Sequence, residues 1–206
     1  MSRRRKETVL IPTRAWTLRL IKNKGMPLHI MSHSMMVRRV AVIIGHSIRL
    51  SGYEINLPLI DRAALLHDIC KIDSIVSGGD HAMMGEELLK DLGYPLVGDI
   101  IGQHVRLKSM VLNEPMIVNY ADKRVMHEHV VSLSKRFFDL MNRYGSSATR
   151  QERILGLFDK SREIEGIILK SSGLDTQWLE NLNLIPGDYP LYGGDGILGK
   201  NGPVEV

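Results

Sequence analysis

Histidine and aspartate residues lie at the ends of several apolar segments of this chain, where their side chains could meet in the interior of a fold. The clearest case is the segment 63–71, in which four apolar residues precede the pair His67-Asp68 and Lys71 ends the segment. A carboxylate inside a protein is costly unless it is paired or bound to a metal ion. The apolar pattern predicts a helix here, with Asp61 as its N-cap and the His-Asp pair at its end. Both side chains could then reach one metal ion. The alternative is an ordinary helix C-terminus, in which His67 packs and the helix dipole favours Lys71.

The other histidines and aspartates that could join this pair are dispersed along the chain, but they fall on predicted helices or at their ends. Asp122 lies at the edge of an apolar stripe that includes Val118 and Val125, so its carboxylate is expected to point inward. Imidazoles and carboxylates without thiolates suit Mn²⁺, Fe²⁺, Zn²⁺, Co²⁺ or Mg²⁺. A carboxylate between two sets of histidines could also bridge two such ions. The residues of this set are His33, His67, Asp68, His81, His104 and Asp122.

Apolar residues recur at spacings of three and four along most of the chain, which predicts one helix after another and an all-α fold. Glycine and proline residues such as Gly93 and Pro95 separate the helices. The longest helix is predicted over residues 115–144, with His127 and His129 as surface or outer groups on it. The other predicted helices span residues 13–24, 32–50, 57–68, 81–92, 95–104, 148–170 and 176–182.

Length and composition fit a single globular domain, with 206 residues of which 44% are apolar and 24% charged. Cys70 is the sole cysteine, which excludes an internal disulfide and favours a reducing cytoplasm. No apolar run is long enough to cross a membrane, and the one after the basic N-terminus is too short for a signal peptide. The formal net charge of +4 suits an anionic substrate and is also compatible with nucleic acid.

Four segments are expected along the chain. Residues 1–28 form a basic N-terminal arm, with its charges at residues 3–6, and a short helix. Residues 29–145 form a core that holds the candidate residues, and residues 146–184 add C-terminal helices. Residues 185–206 are rich in glycine and proline, which predicts an irregular tail.

Five short stretches, in this order, resemble the successive motifs of the HD superfamily of metal-dependent phosphohydrolases. They read HSMMVRRVAVIIG, AALLHDICK, HAMMGEELLKDLGY, IIGQHV and VNYADKR, and the resemblance runs from about residue 29 to about residue 140. The second stretch is similar to the His-Asp-Ile-Gly subtype of that family, with Cys70 in place of the glycine. The resemblance implies a single-domain helical bundle with a metal centre among its helices. It also implies hydrolysis of phosphate esters, often those of nucleotides.

The resemblance further implies a ligand set for two divalent metal ions, with Fe, Mn, Mg, Zn and Co all compatible. The ligands of the first ion correspond to His33, His67, Asp68 and Asp122. Asp68 would be the carboxylate that bridges to the second ion. The extra pair of histidines found in two-metal members of the family corresponds to His81 and His104.

Several neighbouring positions also match or depart from the family pattern. Lys71 matches the lysine that follows the His-Asp pair and would hold a phosphate oxygen. Arg106, Lys108 and Lys123 closely follow proposed ligands, so one or two of them could line a phosphate pocket. Cys70 is expected to pack rather than to bind metal. Val105 stands where a second histidine often occurs, which leaves open how completely the second metal site is filled.

These residues predict a hydrolase that uses a metal-activated bridging water to cleave a phosphorylated small molecule. A nucleotide is the favoured substrate. Asp68 would accept a proton, and Lys71 would stabilise the developing charge. The alternative is a catalytically weak protein of the same family that binds and senses a nucleotide or RNA. The basic arm and the helix 13–24 would suit RNA, but nucleic acid is not the favoured partner.

Overall fold

The computed structural model describes residues 10–184, and within that range nearly all regular structure is helical, as the apolar periodicity predicts. No helix among the described residues is long and apolar enough to cross a membrane. The basic arm at residues 3–6 and the glycine- and proline-rich residues 185–206 lie outside the described range. The elements are α1 (Arg14–Asn23), α2 (Leu28–Leu50), α3 (Leu57–Leu66), α4 (Lys71–Ser77), α5 (His81–Asp91), α6 (Pro95–Gly102), α7 (Glu114–Lys123), β1 (Val125–Met126), β2 (His129–Val130), α8 (Leu133–Tyr144), α9 (Ala148–Ser172), α10 (Thr176–Asn181) and a final 3₁₀ turn (Leu182–Leu184).

Helix α2 lies at the centre of the bundle and packs against α3, α7 and α9. It begins at Leu28, earlier than predicted, so His33 already lies in its second turn. Gly45 lets α3 approach closely, because a Cβ atom there would lie 2.8 Å from Cδ1 of Ile60 and 3.0 Å from Cδ2 of Leu57. The buried stripe of α2 is the predicted one and includes Val37, Val40, Ala41, Ile44 and Ile48.

A buried ion pair joins α2 to α3. Arg38 Nε donates to Asp61 Oδ1 at 2.5 Å, and both side chains are almost completely shielded from solvent. The neighbouring Arg62 also contacts Asp61 through Nη1. The prediction that Asp61 caps a helix is wrong, because α3 begins at Leu57 and its N-cap is Asn56. Asp61 instead balances positive charge inside the bundle.

The prediction of one long helix over residues 115–144 is wrong, since a β-hairpin separates α7 from α8. Val125 of β1 pairs with Val130 of β2 in an antiparallel register. These β-branched residues favour a strand, and His127 at the turn has φ of 57°, a left-handed conformation that no helix accommodates. His127 and His129 are exposed, as predicted, but they belong to the hairpin rather than to a helix.

The guanidinium group of Arg124 joins the hairpin and the C-terminal helices to the core. Arg124 is fully buried; its Nε donates to the carbonyl oxygen of Val131 at 2.7 Å, and its Nη1 donates to Glu165 at 2.9 Å. Its Nη2 donates to Glu180 at 3.3 Å. Because Glu165 lies on α9 and Glu180 on α10, the C-terminal helices contact the end of α7, which carries Asp122.

Candidate metal centre

The six polar side chains singled out in the sequence converge in space from five different helices of the bundle. The helices bring them together because α2 and α3 pack on each other and on α7, while α6 packs against α3, α5 and α7. The contributions are His33 from α2, His67 and Asp68 from the turn after α3, His81 from the first residue of α5, His104 from just beyond α6, and Asp122 from near the end of α7.

One half of the cluster surrounds the imidazole rings of His33 and His67. Asp122 Oδ1 lies 3.1 Å from His33 Nε2 and 3.6 Å from His67 Nε2. Asp68 Oδ2 lies 3.6 Å from the same His67 nitrogen. Ligand atoms of His33, His67 and Asp68 lie within 4.8 Å of one another, so these three side chains could hold one metal ion, with Asp122 beside them.

The other half of the cluster uses the second oxygen of Asp68. Asp68 Oδ1 lies 3.1 Å from His81 Nε2 and 3.7 Å from His104 Nε2, and these two nitrogens are 3.0 Å apart. Ligand atoms of these three residues also lie within 4.8 Å of one another. Asp68 therefore belongs to both halves and directs one oxygen toward each, which is the placement that a bridging carboxylate requires.

Backbone carbonyl groups orient three of the four imidazole rings. The Nδ1 atoms of His67 and His104 lie 2.8 Å and 2.7 Å from the carbonyl oxygens of Ala64 and Ile101. His33 Nδ1 lies 2.9 Å from the carbonyl oxygen of His127 in the hairpin turn. A carbonyl oxygen only accepts, so each Nδ1 carries the hydrogen and each Nε2 presents its lone pair to the cluster.

Sequence reasoning did not identify these carbonyl groups. The contacts of the Ala64 and Ile101 carbonyl groups could have been predicted from the sequence. Each of these residues stands three positions before a histidine at a helix end, where carbonyl groups lack intrahelical donors. The contact of the His127 carbonyl group could not have been predicted, because the hairpin itself was not predicted.

Burial and neighbouring charge set the protonation of the cluster. Burial lowers the pKa of His67 and lowers the pKa of His104 to about 3, so both imidazoles are neutral at pH 7. Burial opposes ionisation of Asp122, but the adjacent Lys123 and the nearby imidazoles outweigh it and hold the Asp122 pKa well below its ordinary value. At Asp68 burial is likewise outweighed by the neighbouring basic groups, Lys71 among them, which lower the pKa. Neutral imidazoles and ionised carboxylates are the forms that bind metal ions.

Two buried atoms of the cluster, His67 Nε2 and Asp68 Oδ1, have no hydrogen-bond partner among the described residues. Leaving a nitrogen lone pair and a carboxylate oxygen without a hydrogen bond inside a protein is costly. Divalent cations would offset that cost, because each atom could donate electron density to an ion in its own half of the cluster. Four imidazoles and two carboxylates without a thiolate also form a ligand set that suits Mn²⁺, Fe²⁺, Zn²⁺, Co²⁺ or Mg²⁺. The residues present therefore fit a divalent metal ion.

The four basic residues predicted to contact a substrate lie in four different settings. Lys71 is at the edge of the cluster, with Nζ 3.5 Å from Asp68 Oδ1, and about a third of its side chain is exposed. The exposed Arg106 guanidinium makes no ion pair or hydrogen bond within the described part of the chain. Lys108 Nζ lies 2.7 Å from Asp99 Oδ1 and 3.5 Å from Glu86 Oε1, so its charge is already paired.

Lys123 is in a fourth setting, because it is buried and bonded to protein oxygens. Its Nζ donates to Asp122 Oδ2 at 3.0 Å and to the carbonyl oxygen of His104 at 2.9 Å. Asn119, one turn earlier on α7, donates through Nδ2 to the carbonyl oxygens of Gln103 and His104, each at 2.9 Å. Sequence reasoning missed Asn119, although its spacing of four from Lys123 places both residues on one helix face.

Cys70 and Val105 depart from the family pattern without joining the cluster. Cys70 is buried in the apolar core, and burial raises the pKa of its thiol. It belongs to neither group of potential metal ligands, in keeping with the packing role expected for it. Val105 is half-buried next to His104 and offers no ligand atom to the second half of the cluster.

Residues 30–127 match the family model described as HD domain, and this range contains all six residues of the cluster. The order of the motifs and the helical fold agree with this match, which covers slightly less than half of the chain, and this part of the chain is similar to the HD domain.

Similarity to individual proteins is more limited. An uncharacterized protein from Methanocaldococcus jannaschii is 32% identical over 66 residues, which cover 32% of this chain and 38% of that relative. The match thus spans well under half of the relative's length. Among solved structures, the chain resembles the crystal structure of a predicted HD superfamily hydrolase from an uncultured Thermotogales bacterium. That structure has 22% sequence identity and a TM-score of 0.46, and the match covers 78% of this chain and 93% of that one.

Proposed function

We propose that this protein is a divalent-metal-dependent phosphohydrolase that cleaves a phosphate ester of a nucleotide or a related small molecule. The observation that supports the proposal most is the arrangement around Asp68, whose two oxygens face two separate sets of imidazole nitrogens. Two of the buried atoms there lack hydrogen-bond partners among the described residues, as metal ligands would before the ion is counted. A structural polar network would satisfy these atoms internally.

The proposed ligands divide between two ions. Bound divalent ions supply positive charge against phosphoryl oxygens and lower the pKa of water far enough to provide a nucleophile near neutral pH. The ligands of the first would be His33, His67, Asp68 and Asp122, and those of the second would be His81, His104 and, again, Asp68.

The chain's own residues have distinct parts in the proposed reaction. Asp68 acts as a ligand to both halves of the cluster; its lowered pKa makes it a weak proton acceptor, so we assign the proton-accepting role to no side chain. The ammonium group of Lys71 is the partly exposed cation nearest to Asp68 and His81, and it can hold a phosphoryl oxygen as charge develops. Arg106 is placed two residues after His104 and has its guanidinium available for a second phosphate contact.

The test is hydrolysis of a panel of nucleotides, cyclic dinucleotides and sugar phosphates by chelator-treated protein supplied with Mn²⁺, Fe²⁺, Co²⁺, Mg²⁺ or Zn²⁺. Turnover with at least one metal is expected, and Asp68→Asn should abolish it. Lys71→Met should lower kcat by about 10²–10³-fold, the cost of removing one donor to a transition-state oxyanion. Lys160→Met, at an exposed position of α9, is the matched control and should retain the wild-type rate.

The same panel separates the hydrolase from the alternative, a nucleotide or RNA sensor. A sensor would bind a phosphorylated ligand, and Lys71→Met would weaken that binding, but no metal would produce turnover. Absence of hydrolysis across the whole panel with metal-loaded wild-type protein would therefore overturn the proposal.

A further inference from the structure

Lys123 lies inside the protein, although its position directly after Asp122 makes it a natural candidate for substrate binding. Only 7% of its side chain is exposed. Burial of an ammonium group is costly unless oxygens accept its hydrogens, and Lys123 finds two, Asp122 Oδ2 and the carbonyl oxygen of His104. Two of the three hydrogens of this ammonium group are therefore bonded to protein oxygens.

We infer that Lys123 is a positioning residue that holds the two halves of the proposed metal centre in a fixed arrangement by binding one ligand residue from each half. The inference rests on the proposed function, because it assigns Lys123 to the same cluster. It differs from the sequence prediction, in which Lys123 contacts a phosphate.

The contact with Asp122 determines which carboxylate oxygen faces the imidazoles. Lys123 Nζ takes Oδ2, which leaves Oδ1 directed toward His33 Nε2 and His67 Nε2. Without Lys123, Oδ2 would lose this donor, and only the contacts of Oδ1 with the imidazoles would oppose rotation about χ2, a torsion with a broad energy minimum. Lys123 therefore fixes the orientation of a ligand in the first half of the cluster.

The contact with His104 fixes the backbone of a ligand in the second half. The His104 carbonyl oxygen accepts hydrogen bonds from Lys123 Nζ and from Asn119 Nδ2, both from α7. His104 lies beyond the last residue of α6, Gly102, where the helix no longer determines its main-chain position. Helix α7 thus holds the turn that carries the His104 ring, and Lys123 is the side chain that contacts both this turn and Asp122.

Replacement of Lys123 should therefore weaken both metal sites, whereas a surface lysine should affect neither. Loss of a residue that orients metal ligands through hydrogen bonds typically costs about 10–100-fold in metal affinity. Lys123→Met keeps the length and apolar stem but removes both donors. Lys123→Gln keeps an N–H₂ group on a side chain that is one bond shorter and uncharged, so it should restore only part of the affinity.

The test is a Co²⁺ titration of chelator-treated wild type, Lys123→Met, Lys123→Gln and the control Lys160→Met, followed by visible absorption and calorimetry. We expect Lys123→Met to raise the Kd of both Co²⁺ ions by about 10–100-fold and to change the ligand-field spectrum, with Lys123→Gln intermediate. A purely structural role would lower the melting temperature but leave the spectrum and the Kd of the folded protein unchanged.

Each outcome of the titration is decisive. Wild-type Co²⁺ affinity and spectrum in Lys123→Met would overturn the inference, as would an increase in KM without any change in metal binding. If Lys123→Met does not fold, wild-type affinity in Lys123→Gln overturns the inference in the same way. A wild-type chain that binds no Co²⁺ would instead contradict the proposed metal centre itself.

Discussion

The buried ion pair between Arg38 and Asp61 provides a test of the packing that supports the cluster. Arg38 lies on α2 beyond His33, and Asp61 lies on α3 before His67, so the pair connects two ligand-bearing parts of the chain. We predict that Asp61→Asn strongly destabilises the fold, because it preserves shape while removing the negative charge that faces Arg38 and Arg62 inside the bundle.

The size of the effect follows from the exposure of the pair. Arg38 and Asp61 side chains are only 4% and 1% exposed, so water cannot replace the lost partner. Breaking a buried pair by removing one partner costs about 3–5 kcal/mol. For a chain of about 200 residues, each kcal/mol lowers the melting temperature by about 2–4 °C. Asp61→Asn should therefore melt about 6–20 °C below wild type.

The assay is urea unfolding and thermal melting, with Asp73→Asn as the matched control. Asp73 pairs with Lys24 at 2.6 Å, but the side chains are 41% and 30% exposed, and such pairs contribute about 1 kcal/mol or less. Replacing both members of the buried pair, as Arg38→Met with Asp61→Leu, should recover much of the lost stability. If Asp61→Asn costs no more than Asp73→Asn with unchanged urea m-value, the reasoning about the buried charge is refuted.

Three further predictions follow from the cluster and its surroundings. Removing metal ions should lower the melting temperature relative to protein held at about a hundred times the metal Kd, since each occupied site adds about 2.7 kcal/mol; equal melting temperatures would argue against a bound ion. Cys70 should react with a thiol reagent far more slowly in the native protein than in urea, because burial shields it and raises its pKa; equal rates would contradict its place in the core. The metal-free protein should lose stability as the pH falls from about 6.5 toward 3, because unfolded histidines gain protons that buried His67 and His104 resist; His104→Asn should reduce this slope, and an unchanged slope would count against the assignment.

The helices were predictable because their apolar residues recur with the helical period over several turns. Histidines and aspartates at the helix ends could also be picked out, and the structure brings the six of them into one cluster. The hairpin could not be predicted, because its strands are only two residues long and the valines around it also fit a helical stripe. The contact between the His127 carbonyl group and His33 depends on this hairpin, so it could not be predicted either.

The environments of the lysines depend on tertiary packing and cannot be predicted from the local sequence. Lys71 and Lys123 each stand close to a candidate aspartate in sequence, yet the first is partly exposed and the second is buried. Lys123 is buried because the turn at His104 packs against α7, a contact between residues 19 positions apart. The role of each lysine in binding stays a prediction that the substitutions above test.

The central claim is that Asp68 bridges two metal ions, and metal content tests it most directly. Wild-type protein and Asp68→Asn are stripped with chelator, equilibrated with Mn²⁺, freed of loosely bound ions and analysed by mass spectrometry for metal per chain. We predict two ions per wild-type chain and no more than one per Asp68→Asn chain, because both halves of the cluster share that carboxylate. Wild-type protein without bound metal, or Asp68→Asn that retains the wild-type content, would contradict it.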